Sequence, residues 1–333
     1  MQAIFFHSGG RSDVLQYGEM PSPQYCTDHQ VLVRIKAIGI NPIDIKIRTA
    51  PDRFPVTFPV IPGCDGAGTV ESVGTQVQHF KPGDEVYFSQ PGFNGRQGSY
   101  AEYVLVDDDL LALKPRSLSF EQAAAAPLVL ITAWEALHDR TNLCSGQTIL
   151  IHAGAGGVGH VAIQLAKLVG AQVITTVSNE QKANFAKHLG ADHVINYCSQ
   201  DVITAVLDWT NGKGVDIAFD TVGSNTLQSC FSCIKPYGDV VTIIQPTSDM
   251  NWSDARLRNT RFSMEMMLSP VLLELPEGKS HQAEILRQCA QLFDANQLTI
   301  EVARVFNLSE AADAQQYLEQ NHPIGKIVLT IPS

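Results

Sequence analysis

Three glycines, Gly154, Gly156 and Gly159, carry the clearest chemistry in the chain. The apolar run 148–151 precedes them, and Val161, Ile163, Leu165, Ala166 and Leu168 recur after them with helical spacing. A strand that feeds a G-x-G-x-x-G turn and then a helix suits a dinucleotide for a physical reason. Gly154 permits the tight turn, and Gly156 lets a diphosphate approach the backbone. Gly159 lets helix and strand pack closely, and the helix N-terminal amides face the anion. NAD-dependent sites of this kind place an acidic side chain on the ribose hydroxyls at the end of the second strand. Here that strand ends Thr175-Thr176-Val177-Ser178. A carboxylate would repel a 2′-phosphate, whereas the Ser178 hydroxyl can donate to it. Lys182, one helical turn later, can supply the compensating charge. Glu180 lies near the spacing where an acidic partner would be sought, and Lys182 and Glu180 can equally be solvated charges opening a helix. Ser178 and Lys182 together favour NADPH over NADH.

The elements that must position these residues follow from the surrounding pattern. The first third is β-rich, with apolar or alternating runs at 3–6, 31–40, 66–73, 85–89 and 101–106, punctuated by Pro and Gly. Ser119 reads as an N-cap with Gln122 as its capping-box partner, opening an alanine-rich helix. From there to about residue 245, strands at 148–152, 172–177, 193–196, 216–220 and 240–244 alternate with helices, the second helix ending at Gly190. That alternation predicts a parallel sheet covered by helices. Beyond Pro246 come a polar loop, a helix at 283–296, a strand near 302–306, a helix at 309–321 and a closing strand at 325–331. The order is a β domain, an inserted α/β domain, and a return that finishes the first.

Composition narrows the class. The 333 residues suit about two domains, and the net charge of −11 argues against nucleic acid or an anionic membrane as main partners. No apolar run is long enough to span a bilayer, and the start lacks a basic n-region followed by an apolar one, so a cytoplasmic location is expected. Cys26, Cys64, Cys144, Cys198, Cys230, Cys233 and Cys289 are scattered and odd in number, which argues against a disulfide framework. Cys230 and Cys233 form a lone C-x-x-C on a helix whose Leu227, Phe231 and Ile234 face the core, so buried thiols are expected there.

The chain resembles the medium-chain dehydrogenase/reductase superfamily, and within it the zinc-free quinone oxidoreductase and enone reductase branch. The anchors run nearly the whole length. They are Ala37-Ile38-Gly39-Ile40-Asn41-Pro42-Ile43-Asp44, Pro62-Gly63-Cys64-Asp65-Gly66-Ala67-Gly68, Lys81-Pro82-Gly83-Asp84-Glu85-Val86, the 154–159 turn, Leu189-Gly190-Ala191-Asp192, Asp220-Thr221-Val222-Gly223, and Gly325-Lys326-Ile327-Val328-Leu329. The resemblance implies an α/β protein with a GroES-like β-rich catalytic domain (1–122 and 265–333) and a Rossmann doubly wound parallel-sheet domain (123–264). Alcohol dehydrogenases of this superfamily hold zinc on a cysteine, a histidine, a neighbouring glutamate and a later cysteine. Here those positions read Asn41, Cys64, Asp65 and a residue near Leu128, and no metal is expected.

By the same resemblance the cofactor contacts are Thr132, Gly154, Gly156, Gly157, Val158, Gly159, Ser178, Lys182, Tyr197, Val222, Gly325 and Lys326. Asn41 and Asp44 occupy the strand end of the old zinc site. There Asn41 can donate to a substrate oxygen, and Asp44 can orient a water or a ribose hydroxyl. Both can equally be turn chemistry, Asn41-Pro42 starting a loop and Asp44 capping the short helix after it. The substrate wall is assigned to Ile45, Phe93, Leu128 and Phe262. Without zinc, hydride suits an acceptor activated by its own conjugation, a small-molecule quinone or enone. Two alternatives stay open: a non-catalytic NADPH-binding sensor, and a zinc alcohol dehydrogenase, which the missing ligands oppose. A homodimer is expected through an exposed edge strand at 240–244.

Overall fold

The computed structural model describes residues 1–23 and 27–331; Cys26 lies outside the described residues. The chain divides into two compact units, Met1–Leu128 with Leu268 onward, and Val129–Met267.

The N-terminal part of the first unit supplies β1 (Gln2–Phe5), β2 (Gln16–Glu19), β3 (Gln30–Ile40), β4 (Asp65–Val73), β5 (Glu85–Ser89), β6 (Tyr103–Asp107) and β7 (Leu111–Leu113). Its helices are α1 (Pro42–Thr49) and α2 (Phe120–Ala125), and α3 (Pro127–Trp134) begins at its boundary. Strand β3 alternates between buried and partly exposed side chains over its first half, then is buried on both faces from Ile38 to Ile40. That buried end delivers the chain to Asn41, where Pro42 starts α1 with a φ already suited to a helix. Ser119 caps α2 as its spacing predicts, its Oγ accepting from the Gln122 N–H at 3.2 Å.

The second unit runs β8 (Thr148–Ile151), α4 (Gly157–Val169), β9 (Gln172–Val177), α5 (Glu180–His188), β10 (His193–Asn196), α6 (Val202–Trp209), β11 (Val215–Asp220), α7 (Ser224–Cys233), β12 (Ile234–Thr242), α8 (Ser253–Leu257) and β13 (Arg261–Met264). The strands form one parallel sheet in the order β10-β9-β8-β11-β12-β13. The chain steps outward from β8 in one direction, then returns to the other side of β8 and steps the opposite way. The C-terminal end of β8 therefore lies at the switch point where parallel sheets open a crevice for ligands. Leu150, Ile174, Ile195, Ala218, Leu227, Phe231 and Val240 belong to one of its cores.

The chain then returns through α9 (Ser269–Leu272), α10 (Pro276–Asp294), β14 (Val302–Asn307), α11 (Ala311–Gln320) and β15 (Lys326–Thr330). β15 pairs antiparallel with β3, Ile327 opposite Ile40, so the C-terminal segment completes the first unit's sheet in the order β14-β15-β3-β4-β5-β7. Lys326 is thereby placed beside the end of β3.

Two expectations need correction. Residues 240–244 do not form an exposed edge: β12 is flanked on both sides, and the edge belongs to β13, which falls in the expected polar loop. Only four residues long, β13 has no buried residue, and its Arg261 reaches Asp239 at 2.6 Å, so it leaves no apolar run to read. Helix α10 starts at Pro276 rather than 283, because its first turns are built from Glu277, Gly278, Ser280 and His281 and carry no apolar period.

Candidate functional site

In the second unit the site is built on the turn after β8. Three threonines from neighbouring strand ends brace it. Thr175 Oγ1 donates to the Ile151 carbonyl at 2.6 Å, Thr176 Oγ1 accepts from the Ala153 N–H at 3.1 Å, and Thr221 Oγ1 donates to the His152 carbonyl at 2.9 Å. The left-handed residue of the turn is Ala153 (φ 52°). Gly154 is required by close approach, since a Cβ there would lie 2.1 Å from Thr175 Oγ1. A Cβ on Gly159 would lie 2.2 Å from the Ala153 carbonyl oxygen, so the start of α4 packs on the turn without room for a side chain. Gly156 differs: its nearest protein atom would be 3.2 Å away, leaving a bare backbone cradle at the helix N-terminus, where Gly157 and Val158 open α4. That cradle fits a diphosphate, whose charge the unpaired amides of a helix's first turn attract.

His152, just before the turn, is buried with Nδ1 3.2 Å from Thr176 Oγ1. Burial lowers its pKa to about 4, so it stays neutral at physiological pH. The sequence alone assigns no role to His152 and no bracing role to these threonines. The pair Thr175-Thr176 at a strand end, facing a glycine turn, was the available signal.

Ser178 follows the last residue of β9 directly. Asn179 caps α5, its Oδ1 accepting from the Lys182 N–H at 2.9 Å, and Lys182 stands half-buried in that first turn. Glu180 is exposed as the first residue of α5, past the strand end. Tyr197, after β10, and Val222, after β11, are exposed at the ends of their strands. Thr132 is buried on α3.

In the first unit a buried polar cluster gathers around the end of β3. Asn41 Nδ2 donates to Asp65 Oδ2 at 2.8 Å, and its backbone N–H donates to Asp44 Oδ2 at 2.9 Å. Lys326 Nζ donates to the Ile40 carbonyl at 2.7 Å and to Asn41 Oδ1. The Leu128 N–H donates to both Asp65 oxygens, at 3.1 and 3.2 Å. Tyr100 OH donates to Asp44 Oδ2 at 3.2 Å and accepts from Gln315 Nε2 at 3.5 Å. Gln315 in turn accepts from buried Arg48 at 2.8 Å, and Arg48 also holds Glu319 at 2.7 Å. Polar contacts thus join α1, β3, β4, α11 and β15.

Burial raises the Asp44 pKa to about 7, with the nearby charge of Asp65 adding to the effect. Its Oδ1 has no hydrogen-bond partner and is the natural seat of a proton. Burial raises Asp65 to about 6, opposed first by the Lys326 ammonium and then by the Asn41 amide. Burial lowers Lys326, opposed by Asp65. The Cys64 thiol is pushed well above its ordinary value by burial and the two carboxylates, which keeps it protonated and weakly nucleophilic.

These placements revise several assignments. The Asn41 amide donates to Asp65 at 2.8 Å and to the Gly39 carbonyl at 3.4 Å, so both of its N–H groups are engaged within the cluster. Asp44 is spent on the start of α1 and on Tyr100, which is the turn chemistry its position also allowed. Lys326, expected against the cofactor, turns its ammonium into the cluster, and Gly325 precedes it with φ 81°. Phe262 packs in an aromatic cluster with Phe231 and Trp252 (ring centroids 5.9 and 5.0 Å) and is half-buried. Phe93 is buried and stacked on Phe54 at 5.7 Å, while Ile45 and Leu128 are half-buried. The loop carrying Phe93 is clasped by Arg96, which reaches Asp107 at 2.7 Å and Glu274 at 2.6 Å. The Cys230 and Cys233 thiols donate to helix carbonyls at 3.4 and 2.9 Å and are buried, as expected.

Comparison with known proteins agrees along the full length. Residues 27–116 match the alcohol dehydrogenase GroES-like domain, and residues 189–329 match a family described as zinc-binding dehydrogenase. A quinone oxidoreductase of Pseudomonas aeruginosa is 33% identical over 98% of both chains. A 2-haloacrylate reductase of a Burkholderia species is 35% identical over 99% of this chain and 98% of its own. The structure of Escherichia coli quinone oxidoreductase complexed with NADPH superposes with a TM-score of 0.88 at 30% identity, covering 99% of this chain and 100% of that one.

One of those descriptions implies zinc, and the residues present do not fit it. Zinc takes thiolate, imidazole or carboxylate ligands in a tetrahedral set. Here the first position is an amide already bonded on both sides, the second a protonated thiol, and Leu128 offers only its backbone N–H. Among the described residues no group of three or more His, Cys, Asp or Glu is arranged to hold a metal ion.

Proposed function

The chain belongs to the medium-chain dehydrogenase/reductase superfamily, and from that premise we propose that it is an NADPH-dependent reductase of quinones or α,β-unsaturated carbonyls that works without zinc. The observation that carries this reading is the bare, threonine-braced cradle at Gly156 on the sheet's switch point, with Ser178 and Lys182 at the end of the next strand. A bound nicotinamide supplies hydride. The protein's part is to hold the diphosphate on the backbone amides of the turn and the first turn of α4. Ser178 and Lys182 hold the 2′-phosphate, with Tyr197 beside the adenosine and Thr132 and Val222 along the remainder.

The buried cluster supports the acceptor class. Its carboxylate and ammonium are bonded to each other's neighbours, so it offers no Lewis acid to polarise an unactivated ketone or to stabilise an alkoxide. A quinone or enone brings its own conjugation instead. The relative that reduces 2-haloacrylate, by its name, acts on such a conjugated acid. Asn41 and Asp44 serve from inside, fixing the end of β3 and the start of α1.

NADPH oxidation measured against quinones, enones, enoyl thioesters, simple aldehydes and saturated alcohols tests the reading. Turnover is expected with quinones and enones, little with alcohols, and no loss with chelator. Tight NADPH binding with no acceptor reduced would move a sensor role ahead. Efficient oxidation of simple alcohols without added metal would overturn the acceptor assignment.

A homodimer through β13 is also expected. Its outer edge is unpaired within the described sheet, and Met264 and Met266 are exposed beside it. Such an edge attracts another strand. Sedimentation at micromolar concentration should give twice the chain mass; a monomer there counts against it.

A further inference from the structure

The zinc positions of the superfamily have not become an apolar core in this chain. They have become a hydrogen-bonded chain that ends on a cation from a distant segment. Asn41, at the first position, accepts from Lys326 and donates to Asp65 at 2.8 Å. Asp65, at the neighbouring acidic position, receives the N–H of Leu128 at 3.1 Å, close to where the later cysteine would fall. Lys326 is anchored again on the Ile40 carbonyl at 2.7 Å.

We propose that Lys326 is the resident cation of this site, doing with an ammonium group the charge compensation and cross-linking that a zinc ion performs in zinc-holding members of the superfamily. The inference rests on the zinc-independent reading above and deepens it.

Two observations support the assignment. Asn41, Asp65 and Lys326 are all buried, and an isolated ionised carboxylate there would be strongly disfavoured without a compensating charge. Asn41 bonds to both Lys326 and Asp65, and an amide suits that place because it accepts on one side and donates on the other. Two of the three ammonium donors point inward, which leaves a cofactor-binding role for Lys326 without support.

A double-mutant cycle on urea unfolding tests the pairing. Lys326→Met and Asp65→Asn are each expected to lower the folding constant by roughly a hundredfold or more, as when one partner of a buried pair is removed. The double variant should lose at least about tenfold less than the product of the two losses. Independent, multiplying losses would overturn the proposal.

If either single variant fails to fold, the unaltered protein still decides. Cobalt(II) added to it should give no thiolate-to-metal absorption band at Cys64, because the ammonium already fills the role. A stoichiometric band that Cys64→Ser abolishes would overturn it. Neither readout uses turnover, so a failed acceptor panel and a failed cycle are separate results.

Discussion

Gly156→Ala is expected to fold as the parent does and to bind NADPH at least about a hundredfold more weakly. Gly159→Ala is expected to lose stability as well as binding. The two glycines lie three residues apart in one motif, yet the protein asks different things of them. A methyl on Gly159 meets the Ala153 carbonyl at 2.2 Å, and neither β8 nor α4 can retreat without breaking the threonine brace. Overpacking of that kind costs about 1–3 kcal/mol. A methyl on Gly156 meets that same carbonyl oxygen at 3.2 Å, a contact a few tenths of an ångström of movement relieves, and otherwise only the Ala153 Cβ at an ordinary 3.9 Å. The space it takes is the ligand's. Displacing a phosphate from two charge-assisted amide contacts costs about 3 kcal/mol or more, roughly a hundredfold in affinity. Thermal unfolding beside fluorescence titration separates the outcomes. Equal destabilisation by both substitutions, with unchanged affinity at Gly156, would mean the cradle does not hold the diphosphate.

The contrast explains why the second unit was legible in sequence. Strands β9 and β10 lie where their apolar runs place them, β8 and β11 differ by one residue at one end, and β12 spans Ile234–Thr242 where 240–244 was expected. Parallel strands buried on both faces must be apolar throughout, and each is bounded by turn residues. The glycine spacing identified the turn, but its reason for Gly154 differs from the expected one. The sharp backbone belongs to Ala153, and Gly154 is needed for the approach of Thr175. Spacing shows that a position must be small; it does not show which neighbour requires it.

The first unit's polar cluster was less legible for a related reason. Asn41, Asp44 and Asp65 stand out as polar residues within apolar stretches, which marks them as purposeful. What they bond to depends on Lys326, Tyr100 and Gln315, which the chain supplies 56 to 285 residues away. No local period announces such a partner. Lys326 in particular reads as a cofactor lysine until β15 is seen beside β3, where the antiparallel register turns its side chain under Asn41. Phe262 is a different case: a lone aromatic serves a wall or a core equally well, and its packing on Phe231 and Trp252 depends on the four-residue strand that carries it.

Lys182→Ala should raise the dissociation constant for NADPH by roughly 10- to 150-fold, about 1–3 kcal/mol, while leaving NADH nearly unchanged. The expectation follows from where α5 begins. Asn179 caps the helix and fixes its first turn, so Lys182 stands one turn past Ser178, the residue just beyond β9. The capping bond is made by the backbone of Lys182, so truncating the side chain leaves the cap and the thermal midpoint intact. The lost term is attraction between an ammonium and a doubly charged phosphate near the surface. It should therefore shrink as salt rises and screening shortens its reach. Ser178→Asp sharpens the test, because a carboxylate there repels the 2′-phosphate yet can accept from the ribose hydroxyls of NADH. That variant should lose NADPH affinity further and gain NADH affinity, inverting the preference. Equal loss of both cofactors in Lys182→Ala would assign the lysine to the turn rather than to the phosphate, and Glu180 would then be the residue to test as a ribose partner.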